Sequence, residues 1–192
     1  MTSIVTSPER RRLHPHKFTL WIAMASIVMM FAGLTSAYIV RRSQANWLEF
    51  TLPNIFWLST FIILLSSLTM HLSLKYFKAR EMARYRKFIT ATAFLGVLFA
   101  LMQVFGFKYL YTHGVQIIGV GSNPSASFLG IITGLHALHV LGGVIALLII
   151  FFRAYNLKKK NYSSVPVEIV STYWHFVDAL WIYLFIFFHL MQ

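Results

Sequence analysis

TGLHALHVLGG, residues Thr133 to Gly143, sits in the middle of an apolar run that extends from Ala126 to Phe152. In a helix, His136 and His139 lie three residues apart on one face, and Gly143 continues that face four residues later. Extending the stripe in both directions gives Leu129, Ile132, His136, His139, Gly143, Ala146 and Ile150. One side of this run thus offers imidazoles and then small residues, against which another helix can come close. It reads as an interface.

Four further runs resemble it in length. A helix crosses the hydrocarbon layer in roughly 20 residues, and the runs Phe18–Val40, Asn54–Leu74, Phe88–Phe107, Ala126–Phe152 and Ile169–Gln192 all reach that length. The first four carry no Asp, Glu, Lys or Arg, and the fifth carries only Asp178. Of the 192 residues, 58% are hydrophobic and 17% aromatic, more apolar surface than a soluble domain of this size can cover. The expected fold is an all-α membrane protein of five spans, a single bundle over 18–192 behind a basic tail at 1–17. The first run, although it carries small residues at Thr35, Ser36 and Ala37 after an apolar stretch, is too long for a signal-peptide core and is expected to stay as a helix. Lys108 to Ser125, with Gly114, Gly119, Gly121 and Pro124, is expected to be an irregular loop.

The formal charge of +12 is distributed unevenly. Lys and Arg crowd the N-terminal tail and the second and fourth connections, whereas the first and third hold only Arg41, Arg42 and Lys108. The positive-inside bias puts the N-terminus in the cytoplasm and the C-terminus in the periplasm. The basic patches are read as a topology signal and as sites for anionic lipid headgroups, not as a nucleic-acid surface. The chain has no cysteine, which excludes thiolate clusters, disulfides and covalently attached haem, so any redox metal would need histidine ligands.

Ionisable groups inside a span call for partners. On the last run Glu168, Ser171, His175, Asp178 and Ile182 form one stripe, with Trp174 and Trp181 on an overlapping face. His139 lies 13 residues and Asp178 nine residues from the cytoplasmic ends of their runs. At about 1.5 Å per residue their depths differ by roughly 6 Å, close enough for antiparallel neighbours to join them. His136, His139, His175, Asp178, Trp174 and Trp181 are therefore expected to form an interhelical packing network. Arg153 and Glu168 are expected at the cytoplasmic edge, against lipid headgroups or another subunit. A metal or haem site on His136, His139 and His175 has no supporting ligand spacing. His71, His113 and His189 read as boundary or loop residues, Gln103 as a packed hydrogen-bonding group, Tyr109 and Tyr111 as interface anchors, and Met24, Met29 and Met30 as core filler.

SFLGIITGLHALHVLGG, followed by an arginine 14 residues after its second histidine, and then STYWHFVDALWIYLF, resemble subunit III of the haem-copper terminal oxidases. The positions that carry the resemblance are His136, His139, Arg153, Glu168, His175, Asp178 and Trp181. Weaker matches at SIVMMFAGLTSAY from Ser26, LLSSLTMHLS from Leu64 and FLGVLFALMQ from Phe94 extend it over all five spans. Two family glutamates are absent, their places taken by Ile27 and Gly106, and two N-terminal helices of longer members have no counterpart, as in shorter bacterial members.

The resemblance implies an accessory subunit of an oxygen-reducing, proton-pumping cytochrome c oxidase of the aerobic respiratory chain, in the bacterial inner membrane. It would have no active site, metal or haem of its own; haem and copper would be held by partner subunits I and II. Phospholipid, a small subunit IV and a respiratory supercomplex are further expected partners. The neighbouring alternative is subunit III of a quinol oxidase. Rivals from other classes are a stand-alone transporter, for which Gly142 and Gly143 are the one hint of a broken helix, and a histidine-ligated membrane metalloenzyme.

Overall fold

A computed structural model describes residues 15–43, 53–112, 124–155 and 163–191. They form five helices: α1 Pro15–Arg42, α2 Ile55–Lys78, α3 Met82–Thr112, α4 Pro124–Tyr155 and α5 Val165–Leu190. All five are long and apolar enough to cross a membrane, and the described residues include no strand. Each helix extends beyond its apolar run at one or both ends, because the amphipathic boundary residues are helical too. Part of the expected loop at 108–125 is therefore helix, up to Thr112 and again from Pro124; His113 lies outside the described residues.

Helices α2, α3, α4 and α5 pack as a closed ring, each against the next and α5 back against α2. Among the described residues α1 touches only α4 and α5, and so leans on the ring from outside. Its exposed face carries Trp21, Met29 and Val40. Buried Phe31 and Tyr38 supply its attachment: Phe31 meets the His136 and His139 rings edge-on, and Tyr38 does the same with Phe128, Phe187 and Phe188.

A tight turn joins α2 to α3. The Arg80 and Glu81 amides donate to the Phe77 and Tyr76 carbonyls at 3.1 and 3.0 Å, the paired bonds of a Schellman motif. Arg80 is left-handed there, with φ of 62°, a conformation that favours glycine. At the same end of the bundle the Arg86 Nε donates to the Ala154 carbonyl at 2.9 Å, and Glu168 pairs with Lys17 and Lys78. The described basic residues of the N-terminal segment and of the α2–α3 connection are thereby gathered at one end, with Arg153, and Arg41, Arg42 and Lys108 at the other.

Trp174 of α5 fixes the ring's middle. Its indole is fully buried and lies where side chains would stand at Gly96 of α3 and Gly143 of α4: a Cβ at Gly96 would sit 2.9 Å from Cη2, and one at Gly143 would sit 3.0 Å from Cε3. Helix α4 runs unbroken through Gly142 and Gly143, whose value at position 143 is the space it leaves. Overpacking a filled core costs about 1–3 kcal/mol. Gly96→Ala and Gly143→Ala are each expected to destabilise the solubilised protein by that amount. Gly33→Ala, where a Cβ meets nothing within 4 Å, is expected to leave the thermal midpoint unchanged or slightly raised; scanning thermal denaturation in one detergent measures all three.

Candidate functional site

The buried polar groups of α5 turn mainly toward α2. Trp174 Nε1 donates to Ser66 Oγ at 3.1 Å, and Trp181 Nε1 donates to Thr60 Oγ1 at 3.0 Å. His175 Nδ1 lies 2.6 Å from Ser67 Oγ. On its other side α2 meets α3 in the same way: Gln103 Nε2 donates to Ser59 Oγ at 3.1 Å, and Thr69 and Thr92 share a hydroxyl contact at 2.9 Å. Ser59 with Thr60 and Ser66 with Ser67 are adjacent pairs seven residues apart, as are Trp174 and Trp181, so antiparallel α2 and α5 present matching groups every two turns.

The expected network is thus resolved into separate contacts. His136 is buried and stacks on Trp181, with ring centroids 5.2 Å apart. His139 is only half-buried, its Nδ1 2.7 Å from the Leu135 carbonyl, while its own carbonyl accepts a hydrogen bond from the Tyr173 hydroxyl at 3.1 Å. The buried stripe of α4 runs through His136, Val140, Gly143, Val144 and Leu147, so His139 lies on its flank. No described hydrogen bond joins His139 to Asp178, or Asp178 to His175. Asp178 is buried beside Ser67, yet neither carboxyl oxygen has a hydrogen-bond partner among the described residues; the Ser67 hydroxyl is engaged with His175 instead. His71 approaches His175 with ring centroids 6.4 Å apart.

At the basic end Glu168 is held between Lys17 and Lys78, the latter at 3.1 Å from Oε1. It thereby ties the starts of α1 and α5 to the end of α2. Arg153 is exposed at the end of α4, and no described contact joins it to Glu168. Sequence reasoning missed Lys17 and Lys78 as partners of Glu168, and missed the α2 hydroxyls altogether. Two Ser/Thr pairs at heptad spacing stand in that spanning run, but spacing alone does not tell a hydroxyl that reaches a neighbour from one that bonds back to its own helix.

Among the described residues no three of His, Cys, Asp and Glu gather where they could hold one metal ion. The contacts that these side chains make among the described residues run from helix to helix. An interhelical hydrogen bond in a membrane contributes about 0.6 kcal/mol on average and about 1.7 at most. Ser66→Ala and Thr60→Val should each destabilise the protein by an amount in that range, and Ser43→Ala, on the exposed end of α1, by none; unfolding in mixed micelles reads the differences.

The family model described as Cytochrome c oxidase subunit III matches residues 17–192. The chain is 30% identical over 179 residues to cytochrome c oxidase subunit 3 of Corynebacterium diphtheriae, covering 89% of this chain and 85% of that protein. It is 29% identical over 206 residues to cytochrome c oxidase subunit 3 of a Synechocystis strain, covering 100% and 84%. It is also 30% identical over 178 residues to the cytochrome bo(3) ubiquinol oxidase subunit 3 of a Buchnera aphidicola strain, covering 90% and 85%. With five spanning-length helices, four of them closed around Trp174, and the family match running over residues 17–192 through all five, the chain belongs to the cytochrome c oxidase subunit III family.

Proposed function

We propose that this chain serves as the non-catalytic subunit III of a proton-pumping cytochrome c oxidase in a bacterial inner membrane, where it stabilises the catalytic subunit and holds structural phospholipid. The observation that carries this reading is the kind of site the bundle builds. Polar groups within it join one helix to another, by indole-to-hydroxyl bonds and by the His136–Trp181 stack. A cytochrome c donor is favoured over quinol by the family match. The haems and coppers of such an oxidase belong to subunits I and II.

The basic end is the cytoplasmic one on the positive-inside bias, which places the C-terminus in the periplasm. Arg153, exposed beside this end, and Glu168, held between two lysines, are the residues proposed to meet lipid headgroups or the neighbouring subunit. The roles of His136, His139, His175, Asp178, Trp174 and Trp181 are structural in this proposal: they fix the faces that α4 and α5 present to the rest of the assembly.

Purification in gentle detergent through a tag on this chain is expected to bring down subunits I and II together with a haem spectrum. Recovery of the chain alone, with a stoichiometric metal or with solute transport in vesicles, would overturn the proposal. Asp178→Ala should make the complex dissociate more readily in detergent while leaving the haem bands in place, and loss of a band would point to a ligand role instead. Because the chain has no cysteine, Glu81→Cys creates a unique thiol in the α2–α3 turn. It should react with an impermeant maleimide in inverted membrane vesicles and stay unreactive in intact spheroplasts.

A further inference from the structure

At the basic end the last turn of α4 meets the start of α3 around one arginine. Arg86 Nε donates to the Ala154 carbonyl at 2.9 Å, and the guanidinium carbon lies 5.6 Å from the centre of the Tyr155 ring, within cation–π range. The ring is held in its turn. The Thr90 hydroxyl donates to the Arg86 carbonyl at 2.7 Å, so it accepts from the Tyr155 hydroxyl at 3.0 Å. A half-buried arginine at the membrane boundary is thereby fixed in orientation before any ligand arrives.

Capping the end of α4 uses one of the five guanidinium N–H groups. The others, on the two Nη atoms, form an end-on fork with no hydrogen-bond or ionic partner among the described residues. No carboxylate is placed to take it. The sequence has five Asp and Glu in all. Glu81 is paired with Arg84, Glu168 is paired with Lys17 and Lys78, Asp178 is buried in the interior of α5, and Glu9 and Glu49 lie outside the described residues. Exposed Lys87 and Arg153 add positive charge at the same end and likewise form no ion pair among the described residues. Farther into the membrane the α3–α4 surface turns apolar. Val97 follows Thr90 by two turns of α3, and Phe152 and Ile145 lie two turns apart on α4, all three exposed.

We propose that this groove seats an anionic glycerophospholipid, its phosphodiester on the Arg86 fork and an acyl chain along Val97, Ile145 and Phe152. A planar guanidinium presents two parallel N–H groups to two phosphate oxygens, a match that an ammonium cannot make. The preference for a net negative headgroup follows from the surroundings. The ammonium of an ethanolamine headgroup would find cations on every side, because both described carboxylates of this end are already bridged to lysine or arginine. A glycerol headgroup brings no such charge. The inference rests on the reading of the chain as a lipid-holding oxidase subunit; to the edge contacts proposed for Arg153 and Glu168 it adds a fixed seat and a headgroup charge.

The test uses the intact complex in gentle detergent, stripped of exchangeable lipid, and a phosphatidylglycerol carrying a photoreactive diazirine midway along one acyl chain, with cross-linked peptides mapped after illumination. Labelling is expected on α3 between Thr90 and Leu101 and on α4 between Leu141 and Tyr155. Unlabelled phosphatidylglycerol should compete at least five times better than phosphatidylethanolamine with the same chains, and glycerol phosphate, which has no chain, should not compete. Arg86→Gln should cut labelling of these segments at least tenfold, and Arg86→Lys, which keeps the charge without the fork, at least threefold. Lys87→Gln, which removes an exposed charge of the same sign, should change it less than twofold. Equal competition by the two lipids, competition by glycerol phosphate, or equal loss in Arg86→Gln and Lys87→Gln would overturn the proposal. The lipid competition is read on the unaltered complex, so it decides the matter even if Arg86→Gln fails to fold. Absence of subunits I and II from the same preparation would overturn the oxidase role, whereas their presence with indifferent labelling would overturn the lipid seat alone.

Discussion

A polar atom inside a bilayer has no water to turn to, and most of this bundle's architecture follows from that requirement. Helix α2 answers it with hydroxyls. Thr60 and Ser66 accept from two indoles of α5, Ser67 meets an imidazole, and Ser59 and Thr69 serve α3. These bonds are individually weak, but they are directional in a medium where apolar contact alone cannot tell one helix face from another. They set which face of α5 meets α2, and with it the rotation of Trp174 into the space between α3 and α4. The two glycines that admit the indole then lock that rotation sterically.

The ionic contacts at the basic end follow a different logic. Glu168 is one carboxylate between two ammonium groups, and it joins three helix ends where headgroups and water begin. Arg80 shows a related compromise. Its left-handed backbone would suit glycine, yet arginine stands there, adding positive charge to the turn that carries the topology signal. In both places local geometry gives way to the charge balance of the membrane boundary.

The five helices were legible because span length and freedom from charge are properties of the sequence itself. Their ends were less so, since residues such as Lys108 and Tyr109 are polar by composition and helical by continuity. At the site, Trp174, Trp181 and His136 could be singled out as unusual groups on apolar runs. The α2 hydroxyls could not, because Ser and Thr often bond back to their own helix, as Thr60 also does to the Phe56 carbonyl at 2.7 Å. Whether such a group reaches a neighbour is decided by packing. His139 illustrates the converse: two histidines three residues apart are about 60° apart around the axis, wide enough for His136 to sit in the core and His139 on its flank.

The outlying position of α1 carries a consequence for biogenesis. The nascent chain emerges N-terminus first, yet among the described residues the only partners of α1 are the last two helices. Helices α2 and α3 can pair as a hairpin as soon as both have left the ribosome, whereas α1 has to wait in lipid until almost the whole polypeptide has been synthesised. Its charge-free apolar core lets it remain there alone, and its aromatic rings dock last, closing over α4 and α5 once the ring beneath them is complete.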